Sequence, residues 1–202
     1  MNNEIPTKER LVHSGAILFG EKGYAGVSVR EICKHANTSM NMIHHFFESK
    51  EGLLNVIVNR FSENVFSVPN TLLENTPRSK EDFISRIEMI FETTLDAYIK
   101  ERASLLVVMK EQSNSQAMSD YRDLFVSFME RCKRKGFVRK KLDSEMITGF
   151  MIDRILNQVQ YAPWIKDATG DDLLNDTQYK KRWCKANLDL LLHGLLPGQT
   201  RG

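Results

Sequence analysis

The 202-residue sequence is short of proline (five residues), cysteine (three) and net charge, and each shortage excludes something. No stretch approaches the ~18 consecutive apolar residues of a membrane-spanning helix, so no membrane association is expected. The opening residues carry Glu4 and Glu9 and no long apolar segment, which argues against a secretory signal. Cys33, Cys132 and Cys184 are odd in number, far apart and in no CxxC arrangement. They suit a reducing cytoplasm and are expected as small core residues, neither disulfides nor metal ligands. The formal net charge is only +2, so charge alone does not announce a nucleic-acid binder. Strand-like alternation is scarce as well.

What the sequence does have is apolar spacing of helical period almost throughout. Leu11, Ser14, Gly15, Leu18 and Phe19 trace one face of a first helix that stops at Gly23, a residue that takes left-handed geometry at little cost. Ser28-Val29-Arg30-Glu31 has the form of a capping box opening a second helix, with Ile32 and Ala36 on its inner face. Asn37-Thr38-Ser39 reads as a turn with two candidate N-caps, followed by a short third helix from Met40 to Phe47. Ser49 caps a fourth, where Leu53, Ile57, Phe61 and Val65 share a stripe. Val68 to Pro77, with two prolines, is the expected domain boundary. Beyond it, helical stripes run through Phe83–Tyr98, Leu105–Gln112, Tyr121–Lys135 and Ile147–Val159. Gly136 is a stop, Asp143 or Ser144 a cap, and Pro163 the end of the fourth stripe. After an acidic, glycine-containing link, a last helix runs from about Thr177 to Leu196. The expected fold is all-α: a helix-turn-helix domain at 1–48, a connecting helix at 49–67 and a larger helical domain at 68–202.

A helix of about eight residues, a tight turn and a second short helix is the spacing of a helix-turn-helix, in which the second helix enters the major groove. A tight corner in an ordinary bundle has the same spacing. The residues separate the two. Ala36-Asn37-Thr38-Ser39-Met40-Asn41-Met42-Ile43-His44-His45-Phe46-Phe47-Glu48-Ser49-Lys50-Glu51-Gly52-Leu53 resembles the signature of the tetracycline-repressor (TetR) family. Upstream, Ala16, Phe19, Gly23, Tyr24, Ser28, Val29, Arg30, Ile32 and Ala36 also fall where that family's pattern places them, so the resemblance covers roughly residues 8 to 58.

The resemblance implies roles at matching positions. Met40, Asn41, Met42 and His45 are expected to face base edges: Asn41 suits paired hydrogen bonds to adenine, and the methionines suit thymine methyl groups. Ser28, Arg30, Thr38, Ser39, His44 and Lys50 are expected at phosphates, with helix N-termini adding their amides. Ile43, Phe46 and Phe47 are expected in the core. Asn37 stands where the family usually has glycine, and His44 where it usually has a phosphate-contacting tyrosine. Asn tolerates left-handed geometry. A histidine changes charge near neutral pH, which implies DNA binding that strengthens as pH falls. His13, His35, His44 and His45 crowd the first fifty residues, but no HExxH or Cys/His spacing accompanies them, so neither a metal nor another cofactor is expected.

For the remainder the resemblance implies a domain that binds a small effector and forms a homodimer through its last two long helices. Tyr179, Trp183, Ala186, Leu188, Leu190, Leu191, Leu192 and Leu195 make the last helix apolar over much of its circumference, as in a buried helix or one paired with a second chain. Ile147, Met151, Ile155, Leu188, Leu191, Leu192 and Leu195 are the expected dimer contacts. Phe91, Leu95, Met109, Tyr121, Phe125, Phe128 and Met151, with Gln112 and Asn157 for polar selectivity, are the expected lining of an apolar or aromatic effector's site, although such stripes also serve as plain core. The function that follows is a ligand-responsive repressor, cytoplasmic and not an enzyme, binding a pseudo-palindromic double-stranded operator as a dimer. A regulator of the same fold without an inducer, or a helical ligand-binding protein without DNA binding, are the alternatives. No convergent nucleophile, base or paired carboxylates support an enzyme, and Asp171-Asp172 reads as a solvated link.

Overall fold

The computed structural model describes residues 5–111 and 116–195, and every regular element among them is a helix. They form two compact units: 5–64 with 101–111, and 65–100 with 116–195. The boundaries expected at 48 and 67 follow the chain, whereas these units interleave, because a helix from the middle of the sequence packs with the N-terminal ones.

In the first unit, α1 (Thr7–Lys22), α2 (Val29–His35), α3 (Asn41–Phe47), the first part of α4 (Lys50–Glu74) and α6 (Arg102–Lys110) surround one core. Leu11, Phe19, Ile32, Ile43, Phe47, Leu53, Ile57 and Val107 are all buried in it. Gly23 stops α1 with φ +77°, and its amide donates to the Phe19 carbonyl. The capping box is present in full: the Glu31 amide donates to Ser28 Oγ, and the Ser28 amide donates to the Glu31 carboxylate at 2.8 Å. The Ser28 amide and hydroxyl, both donating to the carboxylate, together with the Lys22 ammonium at 3.3 Å, hold the Glu31 carboxyl down at about 2. Asn37 sits at φ +49°, the left-handed turn residue expected of it. Neither Thr38 nor Ser39 caps α3; its N-cap is Met40, with no side-chain bond. Ser49 does cap α4, accepting from the Gly52 amide at 2.9 Å.

The expected boundary at Val68 to Pro77 is largely helix, since α4 continues through Pro69 to Glu74. An internal proline costs a helix about 3 kcal/mol. Here Leu73 is fully buried, worth about 1.5–3 kcal/mol, and the end of the helix is capped from afar. Arg86 donates to the carbonyls of Leu72 (3.0 Å) and Asn75 (2.9 Å), and Arg131 donates to those of Leu73 and Glu74. Packing and arginine capping together outweigh the proline.

The rest of the second unit comprises α5 (Lys80–Lys100), α7 (Gln116–Arg134), α8 (Ser144–Gln160), α9 (Ala162–Thr169) and α10 (Thr177–Leu195). Gly136 ends α7 with φ +78°, and Asp143 caps α8 while Ser144 Oγ donates to Glu130. The short α9 departs from expectation: Pro163 stands in its first turn, where a missing N–H costs nothing and a fixed φ suits the helix. The expected end of α10 at Leu196 lies outside the described residues. The core is aromatic, with Phe66 stacked on Tyr121 (4.5 Å between centroids), Phe83 on Phe128 and Phe91 on Trp183. Cys33, Cys132 and Cys184 are free and buried, and burial raises all three thiols, Cys132 to about 12 and Cys184 to about 11. No helix among the described residues is long and apolar enough to cross a membrane.

The depressed Glu31 carboxyl gives a testable pH dependence. A carboxylate held below its ordinary value near 4.5 adds stability above that value and loses it as pH falls toward about 2. Glu31→Gln should therefore flatten part of the acid loss in urea midpoints measured from pH 5 to pH 2.5. An unchanged acid profile would remove the capping box from the stability of this unit.

Candidate nucleic-acid interface

The two helices of the expected DNA-reading motif have seven residues each, too few to persist alone. α1 braces them. Arg10 Nε donates to the Ala36 carbonyl at 3.1 Å, closing the end of α2, and His35 Nδ1 meets Ser14 Oγ at 2.9 Å. Arg60 on α4 grips Glu9 of α1 through both carboxylate oxygens, at 2.6 and 2.9 Å. α3 is held by Ile43 and Phe47, both buried, while Phe46 is half-buried against the same core. It joins α4 through Glu48, a non-glycine residue at φ +65°. A Cβ at Gly52 would lie 1.9 Å from the Phe47 carbonyl oxygen, so only glycine admits this approach of α4 to the end of α3. Gly52 stands within the signature run, but sequence reasoning gave it no role; the signal for one was a glycine inside a helix's first turn.

With α3 fixed in this way, Met40, Asn41 and His45 are exposed, and the His45 ring leans edge-on against Phe46 (4.7 Å). Met42, expected at the same surface, is half-buried against the core, so part of its side chain is spent on packing. Among the expected phosphate contacts, Arg30 and Ser39 are exposed and Thr38 is half-buried. Arg30 has no ion pair among the described residues.

Three expected phosphate contacts are engaged otherwise. Ser28 Oγ donates to Glu31 Oε2 at 2.8 Å, so its one proton is already used. Lys50 turns inward: its ammonium donates to the carbonyls of Tyr24 and Val27, both at 2.6 Å, and lies 4.0 Å from the centre of the Tyr24 ring. It fastens α4 to the link between α1 and α2. His44 Nδ1 lies 2.7 Å from the Glu48 carbonyl oxygen. A carbonyl only accepts, so Nδ1 carries the hydrogen and neutral His44 presents a bare lone pair at Nε2. Only the protonated ring has a second N–H to offer a phosphate.

The residues expected around an effector divide as well. Phe91, Leu95, Tyr121, Phe125, Phe128 and Met151 are all buried in the second unit. Met109 belongs to the first unit, Asn157 is exposed, and Gln112 lies outside the described residues. The expected dimer contacts are turned inward: Met151, Ile155, Leu188, Leu191 and Leu195 are buried within the chain, while Ile147 and Leu192 are half-buried. The exposed apolar side chains are neighbours about one position away, Met146 (75% exposed), Phe150 (59%) and Leu190 (75%), followed by Tyr161 and Trp164. One position is about 100° around a helix, enough to exchange the face that packs for the face that does not. No group of three or more His, Cys, Asp or Glu among the described residues is placed to hold a metal ion.

Comparison with known proteins fits this geometry. The model for bacterial regulatory proteins of the tetR family matches residues 11–57. A probable HTH-type transcriptional regulator, YttP of Bacillus subtilis, is 35% identical over 72 residues, which is 36% of this chain and 35% of that protein. The HTH-type transcriptional repressor KstR2 of Rhodococcus jostii is 21% identical over 156 residues, 72% of this chain and 74% of the relative. The solved ketosteroid transcriptional regulator KstR2 of Mycobacterium tuberculosis superposes with a TM-score of 0.77 at 17% identity, covering 96% of both chains. At that identity the likeness is one of fold.

Two outcomes follow from the placements. Lys50→Ala should cost about 1.5–3 kcal/mol of stability, as charge-assisted hydrogen bonds do, and lower Tm. An unchanged Tm with lost DNA affinity would return Lys50 to the phosphates. His44→Tyr, whose hydroxyl offers a proton outward without a change of ring charge, should bind a DNA duplex more tightly than the wild type at pH 8 and fixed salt. Equal affinity of the two proteins would remove this position from the phosphates.

Proposed function

We propose that this chain is a transcription regulator of the kind described by the tetR family model that matches residues 11–57, and that it acts as a ligand-responsive repressor that binds a pseudo-palindromic operator as a homodimer. It is not an enzyme, in keeping with the regulators it resembles. The observation that carries the proposal is the exposed outer face of α3, Met40, Asn41 and His45, on a helix whose inner face is locked into the core. A rigid short helix with a free outer face is what direct readout in the major groove requires. Asn41 is the base-reading residue of this face, and Arg30 with Thr38, Ser39 and His44 holds the backbone.

Dimerisation rests on Met146 and Phe150 of α8, with Leu190 of α10, whose exposure is otherwise unexplained for side chains so apolar. Two copies joined by such faces present two recognition helices, matching a two-fold operator. The effector engages the second unit, and its aromatic interior supports an apolar or aromatic molecule. KstR2, named a ketosteroid regulator, has a like fold, which agrees with an apolar effector. Release from DNA follows when the effector favours one spacing of the two heads over another.

Fluorescence anisotropy with duplexes selected from a random pool tests the proposal. The selected sites should contain inverted repeats, and Asn41→Ala should change base preference at fixed positions within each half. Phe150→Glu should give a monomer by light scattering and weaken binding to the paired site by about a hundredfold or more, the avidity lost with the second head. Failure to enrich any sequence would favour a helical ligand-binding protein that does not read DNA.

A further inference from the structure

The family match ends at residue 57, yet the unit that carries the recognition helix does not. α6 lies in the same compact unit, and Val107 is fully buried in its core. α1 and α6 touch closely at Gly20, where a Cβ would come within 3.0 Å of the Ala103 carbonyl oxygen and 3.2 Å of the Leu106 Cβ. At the end of α6, two charged side chains turn to the backbone of the first helices. Lys110 Nζ donates to the Glu21 carbonyl at 2.5 Å, and Glu111 Oε1 accepts from the Tyr24 amide at 2.6 Å.

The Glu111 bond falls on a segment that Lys50 also holds. The link of residues 23–27 joins α1 to α2 and delivers Ser28, the N-cap of α2. Lys50 holds its carbonyls at Tyr24 and Val27, and Glu111 holds its amide at Tyr24. One peptide segment is thus gripped by an ammonium from α4 and a carboxylate from α6, on donors and acceptors of opposite kind. Tyr24 has one side chain and one amide, and both are taken: the ring by Lys50, the N–H by Glu111. With the link fixed, the start of α2 is fixed, and α3 follows through the turn at Asn37.

We propose that Glu111 is a positioning residue for DNA binding, and that the DNA-reading unit is completed by α6, more than forty residues beyond the family match. This rests on the reading that the unit binds DNA. Glu111 touches no DNA itself; it acts through the Tyr24 amide on the entry to α2. An acceptor oxygen is what the role requires, so Glu111→Gln retains it and Glu111→Ala does not.

The full-length protein and a duplex that the wild type selects from a random pool test this. Glu111→Ala should bind that duplex about tenfold more weakly, the scale of one lost charge-assisted hydrogen bond, and its Tyr24 amide should exchange with solvent faster. The slope of log affinity against log salt should stay at the wild-type value, since no phosphate contact is removed. Glu111→Gln should bind within threefold of the wild type. Wild-type affinity in Glu111→Ala, a shallower salt slope, or equal losses in Glu111→Ala and Glu111→Gln would each overturn the proposal. So would a loss in Glu111→Ala that merely follows its unfolded fraction in a thermal melt. A wild type that selects no duplex at all would instead overturn DNA binding itself.

Discussion

Two seven-residue helices cannot hold themselves in place, and much of the first unit answers that constraint. A helix of that length forms too few internal bonds to repay its own nucleation. Its geometry must come from what it packs against. α1 supplies Phe19 and Leu11 to the shared core and sends Arg10 to the end of α2. α4 supplies Leu53 and Ile57, and Lys50 at its start reaches back to the α1–α2 link. The outer face of α3 is free to meet a ligand because its inner face is held so firmly.

The same trade shows in individual polar groups. Ser28, Lys50 and His44 each have a hydrogen-bonding atom committed inside the protein. For Ser28 and Lys50 the commitment favours positioning over contact. For His44 it is selective, since fixing the hydrogen on Nδ1 leaves the outward nitrogen able to donate only when the ring is charged. A side chain's partner on one side therefore decides its chemistry on the other.

The second unit is organised by size and by arginine. Stacked aromatics fill its interior, while Arg86 and Arg131 close the carbonyls at the end of α4 from two different helices. This explains why the proline-bearing stretch after Val68 misled the sequence pattern. Pro69 is a helix breaker by local rules, but Arg86 and Arg131 are 17 and 62 residues downstream of it, and nothing local announces them. Pro163 misled it in the opposite sense, since a proline that ends one helix also suits the start of the next.

The sequence by itself determined the all-α class, the stop at Gly23, the capping box at Ser28, the turn at Asn37, the cap at Ser49 and the buried stripe of α4. These features are local, set by backbone geometry and by spacings of three and four residues. Tertiary structure alone decided which way Lys50 points and that α6 packs with the N-terminal helices. It also decided that Met146 and Phe150, not Met151 and Ile155, face outward on α8. The physical reason is rotation: adjacent residues on a helix lie about 100° apart, so an apolar stripe wide enough to serve two faces leaves open which one is buried. Only the neighbouring helices, brought together from distant parts of the chain, close that choice.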